Sequence, residues 1–354
     1  MRILFKLNYS TLFSGFLSFS SVISSGSVFA ESNSIAFGDV AYRVNMDAEW
    51  RNRAVKHDAK FGEVDLVVSL GQITYPALHQ FVADYAKQKG LKIIVQPGSC
   101  GVSAKKISRK IIDIGAYCCP PGQTDRLPGI EFHTIGISPI ALITHPDNQL
   151  SGITLKDAQK IFSGDTVKWS EVPLNSSSSV SSKNKIKLLQ GNIQPVVRLH
   201  CKKRPGHWHS LLESDDMFSR RIREVGVIPD MVKEVAETKS AIGFETEYML
   251  KVYKKQGKVK VLTIDGHSPS DLQTLLSANY PFYRTFSLTT WTGTERSNQL
   301  SRELIDSIKK HIEVEESKYD MIPSSKLRLA GWKFKGDELI GEPNGKKVFS
   351  EHQR

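Results

Sequence analysis

The sequence predicts an α/β fold built around a mostly parallel sheet. Two observations carry that prediction. From Val64 to Ala116 the apolar pattern runs strand, helix, strand, helix, strand, the order of a parallel sheet with helices on both faces. A second unit opens near Gly136, and no internal repeat is visible.

The elements follow in order. Arg2 and Lys6 are the only charges in the first thirty residues. A Ser-rich apolar run then extends from Leu7 to about Phe29, with Val28 and Ala30 at the small-residue positions of a cleavage site. This reads as a signal peptide cut after Ala30, and so as an exported, periplasmic chain. The first cysteine is Cys100, which argues against a lipid anchor at the new N-terminus. No later stretch holds eighteen consecutive apolar residues. Residues 31–62 are polar and lack a period, and are expected to form an N-terminal extension.

Val64 to Leu70 has the Val/Leu content of a buried strand. Leu78, Phe81, Val82 and Tyr85 recur at helical spacing on a helix that ends near Gly90. Leu91–Val95 reads as a strand, Gly98–Gly101 as a tight turn, Ala104–Lys110 as a helix and Ile111–Ala116 as a strand. Ile137–His145 is a further strand. Thr154 and Asp157 form the capping box of the next helix. Residues 174–187 are rich in Ser, Asn and Lys and read as a surface insertion. Strands are expected at Val196–Leu199, Ala241–Phe244, Val259–Ile264 and Phe286–Thr290, and helices near Trp208–Glu213 and over Asn298–His311. The basic tail 324–354 is expected to be loosely attached.

The chain carries 48 basic and 37 acidic residues. Two of the basic ones lie in the signal segment, which leaves +9 after cleavage. Such a balance favours anionic partners, and export makes nucleic acid the least suitable of them.

Several segments, taken in order, carry a family resemblance. They are Gly71-Gln72-Ile73-Thr74, Gly98-Ser99-Cys100-Gly101 and Asp113-Ile114-Gly115-Ala116. His145-Pro146-Asp147-Asn148, Ile161-Phe162-Ser163-Gly164 and Trp169-Ser170-Glu171-Val172 follow. Ala241-Ile242-Gly243-Phe244 and Ile264 through Arg284 complete the set. Over about 64–315 the chain resembles the phosphate-type substrate-binding proteins of ABC importers. The resemblance implies the two-lobed periplasmic-binding-protein type II fold, each lobe a mixed, mostly parallel sheet flanked by helices. Lobe 1 would comprise 63–140 and 268–323, and lobe 2 would comprise 141–267. It further implies a hinged cleft, a small anion as ligand, a membrane ABC permease as partner, a monomer and no enzymatic activity. Family members grip a dehydrated oxyanion with helix N-termini, hydroxyls and one arginine, which suits the positive end of the helix dipole.

The departures fall on the gripping positions. Cys100 replaces a glycine, and Tyr117-Cys118-Cys119 replaces Ser-Ser-Arg. On this alignment Cys201 stands roughly where the second-lobe arginine belongs, with Pro205 and His207 for a serine and a threonine around a retained Gly206. The ligand residues expected are Gln72, Thr74, Ser99, Gly101, Tyr117, Cys118, Cys119, Lys202, Arg204, Gly206 and His207.

Three readings of the cysteines stand open. The first is a thiolate and imidazole site for Cu or Zn, or for a thiophilic metalloid such as arsenite, from Cys100, Cys118, Cys119, Cys201, His207 and His209. The second is a retained oxyanion site in which Lys202, Lys203 and Arg204 supply the missing charge. The third is a bridge from Cys100 to Cys118 or Cys119, since adjacent cysteines pair with strain. A nucleophilic thiol paired with His207 lacks a third orienting group.

Overall fold

The computed structural model describes residues 37, 39–173 and 191–343. The segment read as a signal peptide, the stretch 174–187 read as an insertion and the end of the tail lie outside them. The described residues form one compact unit.

A short helix α1 (Ala48–Asn52) is capped by the Asp47 carboxylate and buries Trp50 beside Val67 and Trp291. The first unit follows as β1 (Leu66–Leu70), α2 (Thr74–Lys89), β2 (Ile93–Pro97), α3 (Cys100–Ser108) and β3 (Ile114–Tyr117). All five residues of β1 are buried, as its apolar run requires. Gly90 ends α2 at φ +65, a conformation glycine adopts without the Cβ penalty. The expected turn at Gly98–Gly101 is instead a helix start. Ser99 accepts the amide of Val102, so Cys100 is the first residue of α3.

The central strand β4 (Ile130–Thr144) begins seven residues before the expected Ile137. Next come β5 (Gly152–Ile153), α4 (Leu155–Ser163), β6 (Gln194–Val197), β7 (Arg223–Glu224), α5 (Ile228–Glu237), β8 (Ala241–Thr246), α6 (Glu247–Val252) and β9 (Lys260–Ile264). Thr154 caps α4 as its sequence indicates, accepting from the Asp157 amide. The helix expected near Trp208 is a single 3-10 turn, His207–Ser210. The chain closes with α7 (Leu272–Leu276), β10 (Tyr283–Trp291), α8 (Arg296–Val314), α9 (Glu316–Tyr319), β11 (Ile322–Pro323), α10 (Ser324–Leu329), β12 (Lys333–Lys335) and β13 (Glu338–Gly341).

The sheet runs β2-β1-β3-β10-β4-β8-β6-β7. Its outer pairs β1–β2, β1–β3, β6–β7 and β6–β8 are parallel, while β10 and β8 run antiparallel to β4. The fold is therefore the α/β class expected, with a large mixed sheet flanked by helices. Strand β4 passes through both halves: residues 130–139 pair with β10, and residues 140–144 pair with β8 and β9. The cysteine-bearing segments that follow β3 and β6 lie on opposite sides of it.

The tail is not loosely attached over its described length. Leu327, Trp332 and Leu339 are buried in the core of the second half. The Arg126 guanidinium donates to both oxygens of Glu338, at 3.1 and 2.6 Å. His133, between Asp337 and Thr290, is a satisfied structural histidine.

Candidate functional site

Strand β6 ends at Val197, so the next side chain, Arg198, emerges at the carboxyl end of the second half's sheet, where α/β folds place ligands. Its guanidinium is buried and donates to Glu245 at 2.9 Å. Glu245 is fully buried on β8, and its other oxygen accepts from the Thr246 amide at 2.9 Å. A second guanidinium, Arg284 of β10, faces the same carboxylate at 3.8 Å with no side-chain exposure. None of its three nitrogens finds a hydrogen-bond acceptor. Two guanidinium groups thus share one carboxylate inside the protein.

Two histidines border the pair. His200 lies 3.3 Å from an Arg198 nitrogen through Nε2, and its Nδ1 meets the Arg198 carbonyl at 3.2 Å. That geometry selects the Nδ1–H tautomer. His207 is buried, packs on Phe244, and has no hydrogen-bond partner at either ring nitrogen. Burial, reinforced by Arg284, pushes its pKa well below the usual range, so the ring is neutral. Burial likewise lowers His200. Cys201 and His207 both sit at positive φ, +62 and +58. Such strain costs roughly 1–3 kcal/mol and collects at functional sites.

The four cysteines meet beside this group. Cys100, at the start of α3, lies 2.7 Å from Cys118 sulfur to sulfur and accepts from the Cys118 amide at 3.1 Å. Cys201, from the opposite half, packs against the buried cluster that holds Cys100, Cys118 and Cys119. The thiols of Cys100, Cys119 and Cys201 hold the Cys118 pKa well below the ordinary thiol range, while Cys100 and Cys119 are pushed up. Sulfurs on one tetrahedral zinc would stand about 3.8 Å apart, given metal–sulfur bonds of about 2.3 Å. The Cys100–Cys118 spacing is shorter, and no group of three or more Cys, His, Asp or Glu among the described residues is arranged as a metal site.

The other expected ligand residues are dispersed. The Thr74 hydroxyl accepts from the Gly71 amide at 2.8 Å and so caps its own turn. Ser99 is occupied as a helix cap, Gly101 is exposed, and Gln72 is half-buried with an unpaired carbonyl oxygen. Tyr117 packs edge-on to Phe132 in the core that holds Trp50, away from Ala116 and Cys118, because successive strand residues point to opposite faces. Lys202 is exposed and paired with Asp215. Arg204 is gripped by both oxygens of Asp125, at 2.7 and 2.6 Å, and lies over the Tyr117 ring. It therefore joins the two halves and does not supply a free charge. His209 bonds the Glu213 carbonyl at 2.7 Å and stacks on Trp208. Gly206, at φ +84, turns the chain into His207.

The positive charge of the site comes from Arg198 and Arg284, neither of which was expected among the ligand residues. An arginine does stand near Cys201: Arg198, three residues earlier, follows β6 directly and pairs with Glu245. A signal was available: an arginine directly after a Val-rich strand is an unusual place for a charge.

No family model and no curated protein matches the chain. Its fold is similar to that of a candidate phosphate ABC transporter substrate-binding protein from Clostridium perfringens, solved with bound phosphate. That match has 17% identity and a TM-score of 0.56, covering 73% of this chain and 98% of the other. An ABC-type phosphate transport receptor from Vibrio cholerae is also similar, at 15% identity and a TM-score of 0.54, over 73% and 99% of the two chains. At these identities the likeness is one of fold. Among the described residues no helix is long and apolar enough to cross a membrane.

Proposed function

We propose that this protein is an exported solute-binding protein that encloses a small, phosphate-like oxyanion between its halves and presents it to a membrane ABC permease. The observation that supports this most is Arg284: a buried guanidinium with no acceptor, next to Arg198 and the unpartnered His207. Buried polar groups are almost always hydrogen-bonded, so such a set of orphan donors calls for a ligand. Two guanidinium cations face one carboxylate, and an oxyanion brings acceptors to the donors that this carboxylate leaves unpaired. Charge-assisted, two-pronged contacts from a planar guanidinium fit an oxyanion closely. In the dry interior they are stronger than in water.

In this reading Arg284 and Arg198 are the gripping residues, and Glu245 holds Arg198 in place. The neutral His207 contributes one ring N–H. The discriminating experiment is isothermal titration of anion-free protein with phosphate, arsenate, sulfate and arsenite. Saturable one-to-one binding of a tetrahedral oxyanion supports the reading. Binding of arsenite alone, abolished by Cys118→Ser, transfers the site to the thiols. No heat from any of the four overturns the oxyanion reading.

A further inference from the structure

The cysteines can do something that anion binding does not require. Cys118 has its nearest sulfur partner in Cys100, within the same half of the molecule. Cys119 and Cys201 then remain, and they come from different halves. Cys201 packs against the buried cluster that holds Cys119. Cys201 is held there by its left-handed backbone and by the turn in which the Arg204 amide bonds its carbonyl at 2.9 Å. The two loops are already pressed together. A Cβ added to Gly122 would stand 2.3 Å from the Lys203 carbonyl oxygen, and Arg204 grips Asp125.

We propose that Cys119 and Cys201 form a reversible disulfide that latches the two halves over the bound solute. Disulfide formation requires Cα atoms within about 7 Å, so a bridge between residues of the two halves can form only when the halves are together. The chemistry is thiol–disulfide exchange with a small oxidised disulfide of the surrounding pool. Cys201 is partly exposed while Cys119 is sealed, so Cys201 is the entry point. Its thiolate attacks one sulfur of the small disulfide and releases one thiolate. Cys119 then attacks the mixed disulfide at Cys201 and releases the second. The two cysteines lose two protons and two electrons, and the small disulfide takes up the electrons as two thiols. Reduction reverses both steps and frees the loop.

The proposal rests on the anion reading for its consequence but not for its chemistry, so the two fail separately. Full-length protein is incubated with oxidised glutathione, alkylated without reductant, digested and mapped by mass spectrometry. The expected product joins the peptides of Cys119 and Cys201 and disappears on adding dithiothreitol. The rate of phosphate release is measured on the same samples. Oxidation should slow it at least 10-fold in the wild type and leave Cys201→Ser unchanged. Cys201 recovered fully alkylated, or joined to Cys100 or Cys118, overturns the latch whatever the anion titration shows. A mapped Cys119–Cys201 bridge with no change in release rate refutes its role in holding solute.

Discussion

Replacing Arg284 by methionine separates a binding role from a structural one. The Arg284 guanidinium makes no hydrogen bond and meets Glu245 only at 3.8 Å. At an effective dielectric of about 20, that attraction is worth roughly 4 kcal/mol. Against it stand the desolvation of a fully buried guanidinium, several kcal/mol, and its unpaired donors, about 1–3 kcal/mol when unsatisfied. Repulsion from nearby Arg198 adds to the cost. The terms nearly cancel. Glu245 is not orphaned by the substitution, since Arg198 and the Thr246 amide retain it. Arg284→Met should therefore leave the stability of anion-free protein within about 2 kcal/mol of wild type, on either side. The bound state should lose two charge-assisted hydrogen bonds at about 1.5–3 kcal/mol each, which weakens binding by roughly 100-fold or more. Urea denaturation of anion-free protein and calorimetric titration of the same sample give both quantities. A loss of more than about 4 kcal/mol in stability with affinity unchanged would refute the reasoning, and would make Arg284 a structural counter-ion of Glu245.

Two further outcomes follow from contacts that hold the halves and the tail. Gly122→Ala drives a Cβ against the Lys203 backbone carbonyl, which cannot swing away as a side chain can. It should cost about 1–3 kcal/mol as overpacking. It should also raise amide exchange in loops 118–125 and 198–207, and unchanged exchange there argues against the close approach. The Asp337 carboxylate is held well below the usual range by hydrogen bonds from His133 first and then Lys309. A depressed folded pKa stabilises above the unfolded value near 4 and fades as pH falls below it. Asp337→Asn should thus be less stable than wild type at pH 7, with the gap starting to narrow below about pH 4 and closing only in stronger acid, below the depressed folded value. A gap independent of pH would show that the ion pairs carry none of the tail's attachment.

Local pattern set much of the architecture. The Val/Leu run of β1, the helical spacing of Leu78, Val82 and Tyr85 closed by Gly90, and the Thr154–Asp157 cap are short-range features, and each was legible in the sequence. So was the placement of all four cysteines after strands, although Cys100 proved to open a helix and not a turn. The tertiary structure decided which neighbours those residues meet. Arg198 and Arg284 lie far apart in sequence, and the pairing of β6 with β8, and of β8 and β10 with β4, brings them to one carboxylate. Tyr117 and Cys118 are adjacent, yet strand alternation sends the tyrosine to the opposite core. Arg204 looked like a free cleft charge until the fold set Asp125 against it. Periodicity reports which face of an element is buried, because burial repeats along the chain. It carries no information on which distant side chain fills the space opposite, because that depends on register and on loop length.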